Sequence, residues 1–444
     1  MLKKLIIILF IASLSVNAQD TIRIKINPIG KFKKVMIYSV VGANQKYVAN
    51  ASLIDGGFKI VIPSESAPGI YRLYFDVNNG YFDFIYNHES VSFTFEANAP
   101  ETSAVFDISE ENKVYQAYLN SIQTQQYKVD SIQYAYFNPD QKPILIGQYA
   151  TELNNLYELQ ESFEKAAEGK MAFDFITSNE KYYHPEIVTS PQKYLEITKT
   201  HFFDYIDFSN QHLMQSSFFV DKAIEYVFYM NSAEDKEMDT QLKKDAIEKT
   251  MLKVEDNFKP KSEILNSLIY AFASQQNVEM TLFILDEYYS KLPEEFKSET
   301  FVSQIKSMIK LAIGVVAPEI TWQEGDIEMK LSDMSLAQNY VLVFWSTSCS
   351  HCLIEIPSLY DFTSKFSNVK VIAVALEEND GDYLDITKSM TNWIHVLGLG
   401  KWENKYVKMY DIISTPTYFV LDADKKIILK PQNLEEIETF FKGY

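Results

Sequence analysis

The run NYVLVFW, Asn339 to Trp345, constrains the fold of this 444-residue chain more than any other segment. It is apolar along almost its whole length, which is typical of a strand covered on both faces. VKVIAVAL, Val369 to Leu376, has the same character, and the helical pattern CLIEIPSLYDFTSKF lies between the two. We therefore expect residues 313–444 to form an α/β domain in which helices cover a sheet.

Two regions of different character precede this domain. Residues 19–104 contain short alternating runs such as TIRIKI, KVMIYSV and GIYRLYF, and they predict a small β-sandwich-like domain. Residues 105–312 repeat apolar residues at steps of three and four between prolines, which predicts helices. The expected fold class is multidomain: a small all-β amino-terminal domain, an all-α middle domain and an α/β carboxy-terminal domain.

The amino terminus has the layout of a secretory signal peptide. A basic head, MLKK, is followed by the apolar run Leu5 to Leu14 and by small residues that end at Ala18. The apolar run is shorter than the roughly 20 residues that span a bilayer. We expect cleavage near Ala18, loss of residues 1–18, a periplasmic location and no transmembrane segment in the mature chain. An uncleaved anchor or a buried first strand is the alternative.

The charge of the chain bears on its partners. Asp and Glu number 60 against 41 Lys and Arg, and the formal net charge is −19. Binding to nucleic acid phosphates needs clustered Lys and Arg. We therefore expect no nucleic acid partner.

The chain has only two cysteines, Cys349 and Cys352. A structural disulfide stabilises mainly by closing a long loop, and this spacing closes almost none. A structural zinc site needs further ligands at suitable spacing, and the six histidines are scattered. Redox chemistry remains, and we expect neither a metal nor an organic cofactor.

The position of the pair agrees with redox chemistry. Cys349 lies where the strand ends and the helix begins, and a helix amino terminus stabilises the reactive thiolate. Cys352 follows about one turn later and can resolve a mixed disulfide. A protonated His351 would further favour the thiolate, although it could be only a solvated turn residue. Glu355 shares a helical face with Cys352 and could exchange a proton with it, or simply face solvent.

Three carboxy-terminal segments carry a shared pattern: GVVAPEI, FWSTSCSHCLIEIP and STPTYFVLDADKKI. They resemble the Gly-x-x-Ala-Pro entry, the Phe-Trp-x-x-x-Cys-x-x-Cys-x-x-Glu-x-Pro motif and the cis-proline loop of the TlpA- and ResA-like branch of the thioredoxin fold. The resemblance covers residues 314–444. PGIYRLYFDV also resembles the β-domain that precedes such domains in exported Bacteroidetes proteins.

The resemblance implies a role for each matching residue. Cys349 would be the exposed nucleophile, Cys352 the buried resolving thiol and Glu355 the active-site glutamate. Its implied substrate-binding residues are Trp345, which borders the site, Pro416, the cis-proline facing the disulfide, and Thr415 before it.

Three departures from the family pattern bear on the direction of electron flow. Val343 stands where thioredoxin has a buried aspartate, and Ser348 replaces the tryptophan usual before the first cysteine. His351 resembles the histidine of the oxidant DsbA. The scaffold favours a reductase and the Ser350-His351 dipeptide favours an oxidant, so both directions stay open.

The main hypothesis is an exported protein-disulfide oxidoreductase that acts as a reductase. Its substrates would be protein thiols and disulfides, and its redox partner a membrane-linked electron donor or acceptor. The alternative is a binding or scaffold protein whose β and helical domains recognise a partner. A peroxidase of the same fold is disfavoured because residues 313–444 contain no arginine.

Overall fold

The computed structural model describes residues 20–76, 80–138, 142–381 and 383–443. The expected signal peptide, residues 1–18, lies outside the described residues. The chain divides into two compact units with the boundary between Ser267 and Leu268. Within the described ranges, no helix has the length and apolar character that crossing a membrane requires.

The amino-terminal unit begins with two antiparallel-rich sheets. Their strands are β1 (Thr21–Asn27), β2 (Lys34–Val41), β3 (Asn44–Ser52), β4 (Phe58–Val61), β5 (Gly69–Asp76), β6 (Gly80–Tyr86), β7 (Val91–Glu96) and β8 (Val105–Ile108). The strand orders are β4-β1-β7-β8 and β3-β2-β5-β6. Inward-facing residues of both sheets share one hydrophobic core, as in a sandwich. The predicted all-β amino-terminal domain is confirmed.

A helical region follows the sandwich and confirms the predicted all-α middle domain. Its helices are α1 (Pro100–Ser103), α2 (Glu110–Tyr136), α3 (Lys142–Ala167), α4 (Ala172–Ser178), α5 (Pro191–Thr200), α6 (Phe218–Ile224), α7 (Lys236–Val254), α8 (Phe258–Ser274), α9 (Val278–Glu287) and α10 (Glu299–Ile309). The predicted domain limits, after residues 18, 104 and 312, stay predictions; β8 lies just beyond the second.

Buried polar side chains join α2 to its neighbours. The Asn112 side chain accepts a hydrogen bond from the Ile85 N–H at 2.8 Å and donates one to the Ile85 carbonyl at 2.7 Å. The Glu111 carboxylate accepts the N–H groups of Met171 and Ala172, at 3.0 and 2.8 Å, where α4 begins. These bonds satisfy backbone groups that would otherwise be buried without partners.

The carboxy-terminal unit contains the predicted α/β domain, which is confirmed. Its elements are β9 (Thr321–Glu324), β10 (Ile327–Lys330), β11 (Asn339–Trp345), α11 (Ser350–Thr363), β12 (Val369–Glu377), α12 (Tyr383–Thr387), β13 (Ile394–Leu399), α13 (Lys405–Met409), β14 (Thr417–Leu421), β15 (Ile427–Leu429) and α14 (Leu434–Lys442). Strands order as β13-β12-β11-β14-β15, and β11 runs parallel to β12 and antiparallel to β14.

Strand β11 is the centre of this sheet, and every one of its residues is buried. Its even-numbered residues, Tyr340 to Phe344, join the core on one face of the sheet. Its odd-numbered residues, Val341 to Trp345, join the other core, which includes residues of α11 and α14. Because side chains alternate along a strand, burying both faces requires the continuous apolar run seen in the sequence. The loop that contains Cys349 leaves from the carboxyl end of this strand.

Candidate active site

Cys349 caps helix α11. Its backbone is extended, with φ −96° and ψ 109°, and its Sγ accepts a hydrogen bond from the Cys352 N–H at 3.2 Å. The first N–H groups of a helix have no partner within the helix, so the sulfur does what a serine or aspartate oxygen usually does at this position. Cys349 is partly exposed and Cys352 is completely buried, and both are free thiols.

The two thiols have opposite acidities. Burial acts to raise the pKa of Cys349, but hydrogen bonds from the Cys352 thiol and from the backbone of Cys352 and His351 outweigh it and lower the pKa. Burial raises the pKa of Cys352, and its hydrogen bond to Cys349 raises it further. The outer sulfur is therefore the one that ionises first, and the thiolate is the nucleophilic form.

The loop before β14 lies beside the outer sulfur. The Thr415–Pro416 peptide bond is cis, and the Thr415 carbonyl oxygen is 3.4 Å from the Cys349 Sγ. Phe344 on β11 pairs with Thr417 on β14, so the residues before Thr417 pass next to the chain that leaves β11. The structure thus brings together Thr415, Pro416 and Cys349, as the resemblance implies.

Glu355 lies between a tyrosine and a histidine. Its Oε2 accepts a hydrogen bond from the Tyr418 hydroxyl at 2.5 Å, and its Oε1 is 3.2 Å from the Nε2 of His351. The Glu355 side chain is 16% exposed, whereas that of His351 is 67% exposed. Burial raises the pKa of Tyr418, and the charges of Glu355 and the two thiols raise it further. The tyrosine therefore stays protonated and donates to the carboxylate.

A second carboxylate organises the loop that precedes Cys349. Glu377, at the end of β12, is 6% exposed and accepts the Thr347 N–H and, at 3.4 Å, the Ser346 hydroxyl. The Ser346 and Ser348 hydroxyls are 3.0 Å apart, and Lys401 donates to Ser348 at 2.9 Å. This network connects the reactive loop to β12 and to the segment after β13.

Trp345 lies inside the domain rather than on its surface. It is completely buried in the same core as Cys352, and in the described part of the chain its indole N–H has no hydrogen-bond partner. Its role in substrate binding stays a prediction. Within the described ranges, no three His, Cys, Asp or Glu side chains are grouped so that they could hold a metal ion.

Sequence reasoning misses Tyr418 and Glu377. Tyr418 stands two residues after Pro416, and the β14 register pairs it with Val343. A signal exists, because alternation along a strand puts Tyr418 on the same face as Val343, the face covered by α11. Glu377 directly follows the apolar run of β12. A carboxylate at the end of a buried strand is uncommon enough to merit attention as a candidate.

Comparisons with known proteins agree with this geometry. Residues 338–427 match the family model for thioredoxin-like domains. The thiol-disulfide oxidoreductase ResA of Bacillus thuringiensis is 30% identical over 144 residues, which cover 30% of this chain and 79% of that protein. ResA of Bacillus anthracis matches with the same identity and the same coverage.

Solved structures of similar proteins each cover a little under a third of the chain. A domain of a possible thiol-disulfide isomerase from Cytophaga hutchinsonii is 31% identical and covers 30% of this chain and 93% of its own, with a TM-score of 0.27. The thioredoxin domain of a thiol-disulfide oxidoreductase from Bacteroides vulgatus is 25% identical, covers 30% of this chain and 97% of its own, and has a TM-score of 0.27.

The reduced pair should titrate in two separate steps. Because the pKa of Cys349 is lowered and that of Cys352 raised, we expect one thiolate to form below pH about 8.5, the usual value for a free thiol, and the other above it. Thiolate absorbance at 240 nm, followed against pH, measures both steps. Cys352→Ser should keep the early step and Cys349→Ser should lose it. An early step that survives in Cys349→Ser would contradict this assignment.

The contact between Tyr418 and Glu355 should stabilise the domain. Tyr418→Phe removes a donor from a largely buried carboxylate, and we expect the free energy of unfolding to fall by about 1–3 kcal/mol. All four tryptophans lie after residue 267, so urea unfolding followed by tryptophan fluorescence reports on this unit. The control is Tyr383→Phe, since no described residue hydrogen-bonds the Tyr383 hydroxyl. Equal losses in both variants would speak against the contact.

Proposed function

Because this chain belongs, through its carboxy-terminal domain, to the family of ResA thiol-disulfide oxidoreductases, we propose that Cys349 and Cys352 reduce disulfides in exported proteins. The chain is a thioredoxin-like oxidoreductase whose substrates are protein thiols. The roles of single residues, the reducing direction and the location are our proposal.

One observation carries the assignment of roles. The Cys349 sulfur is partly exposed, accepts an N–H at a helix amino terminus and has the lower pKa, whereas Cys352 is buried and has the higher pKa. Thiolate character and access together decide which cysteine attacks a disulfide. Both favour Cys349 as the nucleophile and Cys352 as the resolving thiol.

The exchange proceeds in two steps. The Cys349 thiolate attacks one sulfur of the substrate disulfide; a bond forms between these sulfurs while the substrate bond breaks, and the released thiolate takes a proton from water. Cys352 then attacks the Cys349 sulfur, which forms the internal disulfide and releases the second substrate thiolate. The substrate gains two electrons and the pair loses two.

Cys352 must lose a proton before the second step. Glu355 follows it by one helical turn and holds a largely buried carboxylate oriented by Tyr418. A carboxylate in this position can take the thiol proton. We assign Glu355 as the general base, and His351, whose ring nitrogen is 3.2 Å from its other oxygen, as a modulator of that base.

Thr415 and Pro416 complete the proposed site. The Thr415 carbonyl faces the Cys349 sulfur at 3.4 Å, so a substrate strand could hydrogen-bond to backbone at this loop while its disulfide meets the nucleophile. Trp345 would shape the site from inside the core.

The cellular setting is also a proposal. A signal peptide over residues 1–18 would export the chain to the periplasm, and a membrane-linked thiol donor would reduce the pair after each turnover. Domains would span 19–104, 105–312 and 313–444. The reducing direction is favoured because Glu355 provides a base for the buried thiol.

Single cysteine variants test the roles. Cys349→Ser should abolish disulfide exchange, because the remaining thiol is buried. Cys352→Ser should keep the attacking thiol and accumulate mixed disulfides with partner proteins, since nothing resolves them. Insulin reduction measures the first effect, and non-reducing gels after trapping measure the second. Unchanged exchange by Cys349→Ser would overturn the proposed mechanism, whereas no exchange by the unaltered chain would favour the binding or scaffold alternative.

The reduction potential tests the direction. A reductase should have a potential near or below about −250 mV, like thioredoxin, and an oxidant one above about −150 mV, like DsbA. Equilibrating the full chain with glutathione buffers and counting free thiols measures it. A value in the oxidant range would reverse the proposed direction and implicate His351, without altering the roles of the two cysteines.

A further inference from the structure

A cavity of about 380 Å³ lies among the helices of the amino-terminal unit, which does not contain the dithiol. Its walls come from the end of α2, from the segment before α5, from α5 itself and from α6. This volume is at the small end of the range of ligand sites and suits one side chain or a small molecule rather than a folded partner.

Aromatic rings form much of the wall. Tyr134, Phe137 and Tyr194 contact one another with centroids 5.9 to 6.1 Å apart and planes inclined by 64 to 72°. Tyr182 stacks on His201 at 3.9 Å. Rings meeting at such angles make a corner that offers π-electron surface from several directions, and such surface attracts cations.

Three carboxylates line the cavity, those of Asp130, Glu180 and Glu225, together with two lysines, Lys181 and Lys222. Asp130 accepts a hydrogen bond from the Tyr194 hydroxyl at 3.1 Å. Burial raises the pKa of Asp130 while the charge of Lys181 acts against it, and burial together with the charge of Glu164 raises the pKa of Glu180. Over the described ranges, no Lys, Arg or His nitrogen lies within 4.0 Å of the Asp130 or Glu180 carboxylate. Partly buried carboxylates without a close ion pair are unfavourable as charges and favour a cationic ligand.

Of the two lysines in the cavity, Lys222 already has a carboxylate partner, Glu225. The Lys222 Nζ is 3.5 Å from the Glu225 carboxylate and 5.8 Å from the centre of the Phe202 ring. Its side chain is only 16% exposed. Lys222 thus shows a cation held between a carboxylate and an aromatic ring, and the rest of the cavity could hold a cation from outside in the same way.

We propose that this cavity is a binding site for an organic cation, best matched by the guanidinium of an arginine side chain on a polypeptide. A planar guanidinium can stack on a tyrosine ring and donate to a carboxylate at the same time. An ammonium is a compact point charge, which cannot stack on a ring as a plane. A neutral apolar ligand would leave the carboxylates unpaired, and an anion would be repelled by them.

Calorimetric titration of the full chain tests the site with a charged and an uncharged ligand of the same shape. Nα-acetyl-arginine amide should bind at least about tenfold more tightly than Nα-acetyl-citrulline amide, because one charge-assisted hydrogen bond contributes that much. Equal affinities, or no binding of either ligand up to about 10 mM, would overturn the proposal. Tighter binding of agmatine, a small free molecule with one guanidinium and one amine, would overturn the polypeptide as the source of the cation.

Matched variants locate the binding. Asp130→Asn should weaken the arginine ligand about tenfold while leaving the citrulline ligand unchanged. Asp107→Asn, which changes an exposed carboxylate of β8 outside the cavity, should bind both ligands like the unaltered chain. Disulfide exchange should be the same in all three proteins. Equal weakening by both substitutions would assign the effect to overall charge and overturn the site.

Discussion

The strand β11 is buried along its whole length. One of its neighbours, β12, runs parallel to it, and the other, β14, runs antiparallel. This arrangement determines where the reactive atoms lie. Parallel pairing with β12 leaves the carboxyl end of β11 free to enter α11, with Cys349 at the helix amino terminus. Antiparallel pairing with β14 returns the chain at the same edge of the sheet, so that Thr415 comes within 3.4 Å of the sulfur. The position of the Cys349 sulfur and that of the backbone facing it are thus both consequences of one sheet register.

The same register brings a phenol from the sheet to a carboxylate on the helix. Tyr418 pairs with Val343 across β11 and β14, and its hydroxyl reaches Glu355 on α11. The sheet contributes a phenol and the helix contributes a carboxylate to one largely buried contact. The outer thiol is stabilised as a thiolate by helix N–H groups, and the inner thiol is kept protonated by burial. Before any substrate arrives, the pair therefore has one sulfur that ionises readily and one that stays protonated.

The sequence predicts an element correctly where burial requires an unbroken run of apolar residues. The apolar run Asn339 to Trp345 coincides with β11, and the spacing of the cysteines is enough to place one at the start of α11. It misses β3, whose residues are exposed or half-buried and show no hydrophobic alternation. The segment ILIGQYATELNNLYELQESFEKAAEGKMAFDFI also predicts one continuous helix, because its apolar steps continue across Gly169, whereas the structure divides it into α3 and α4 around this glycine, whose φ is 76°. The Tyr418–Glu355 contact spans 63 positions along the chain and depends on a register that no local pattern reveals.

Both cysteines belong to one turn of backbone, and the sequence has no others. Oxidation of the pair would therefore link no two distant elements, and reduction would release none. Hydrophobic cores stabilise the fold in place of disulfides, on both faces of the sheet around β11 and between the two sheets of the sandwich. Such a protein can gain and lose electrons repeatedly without loosening, and as a newly made chain it has no wrong disulfide that it can form within itself.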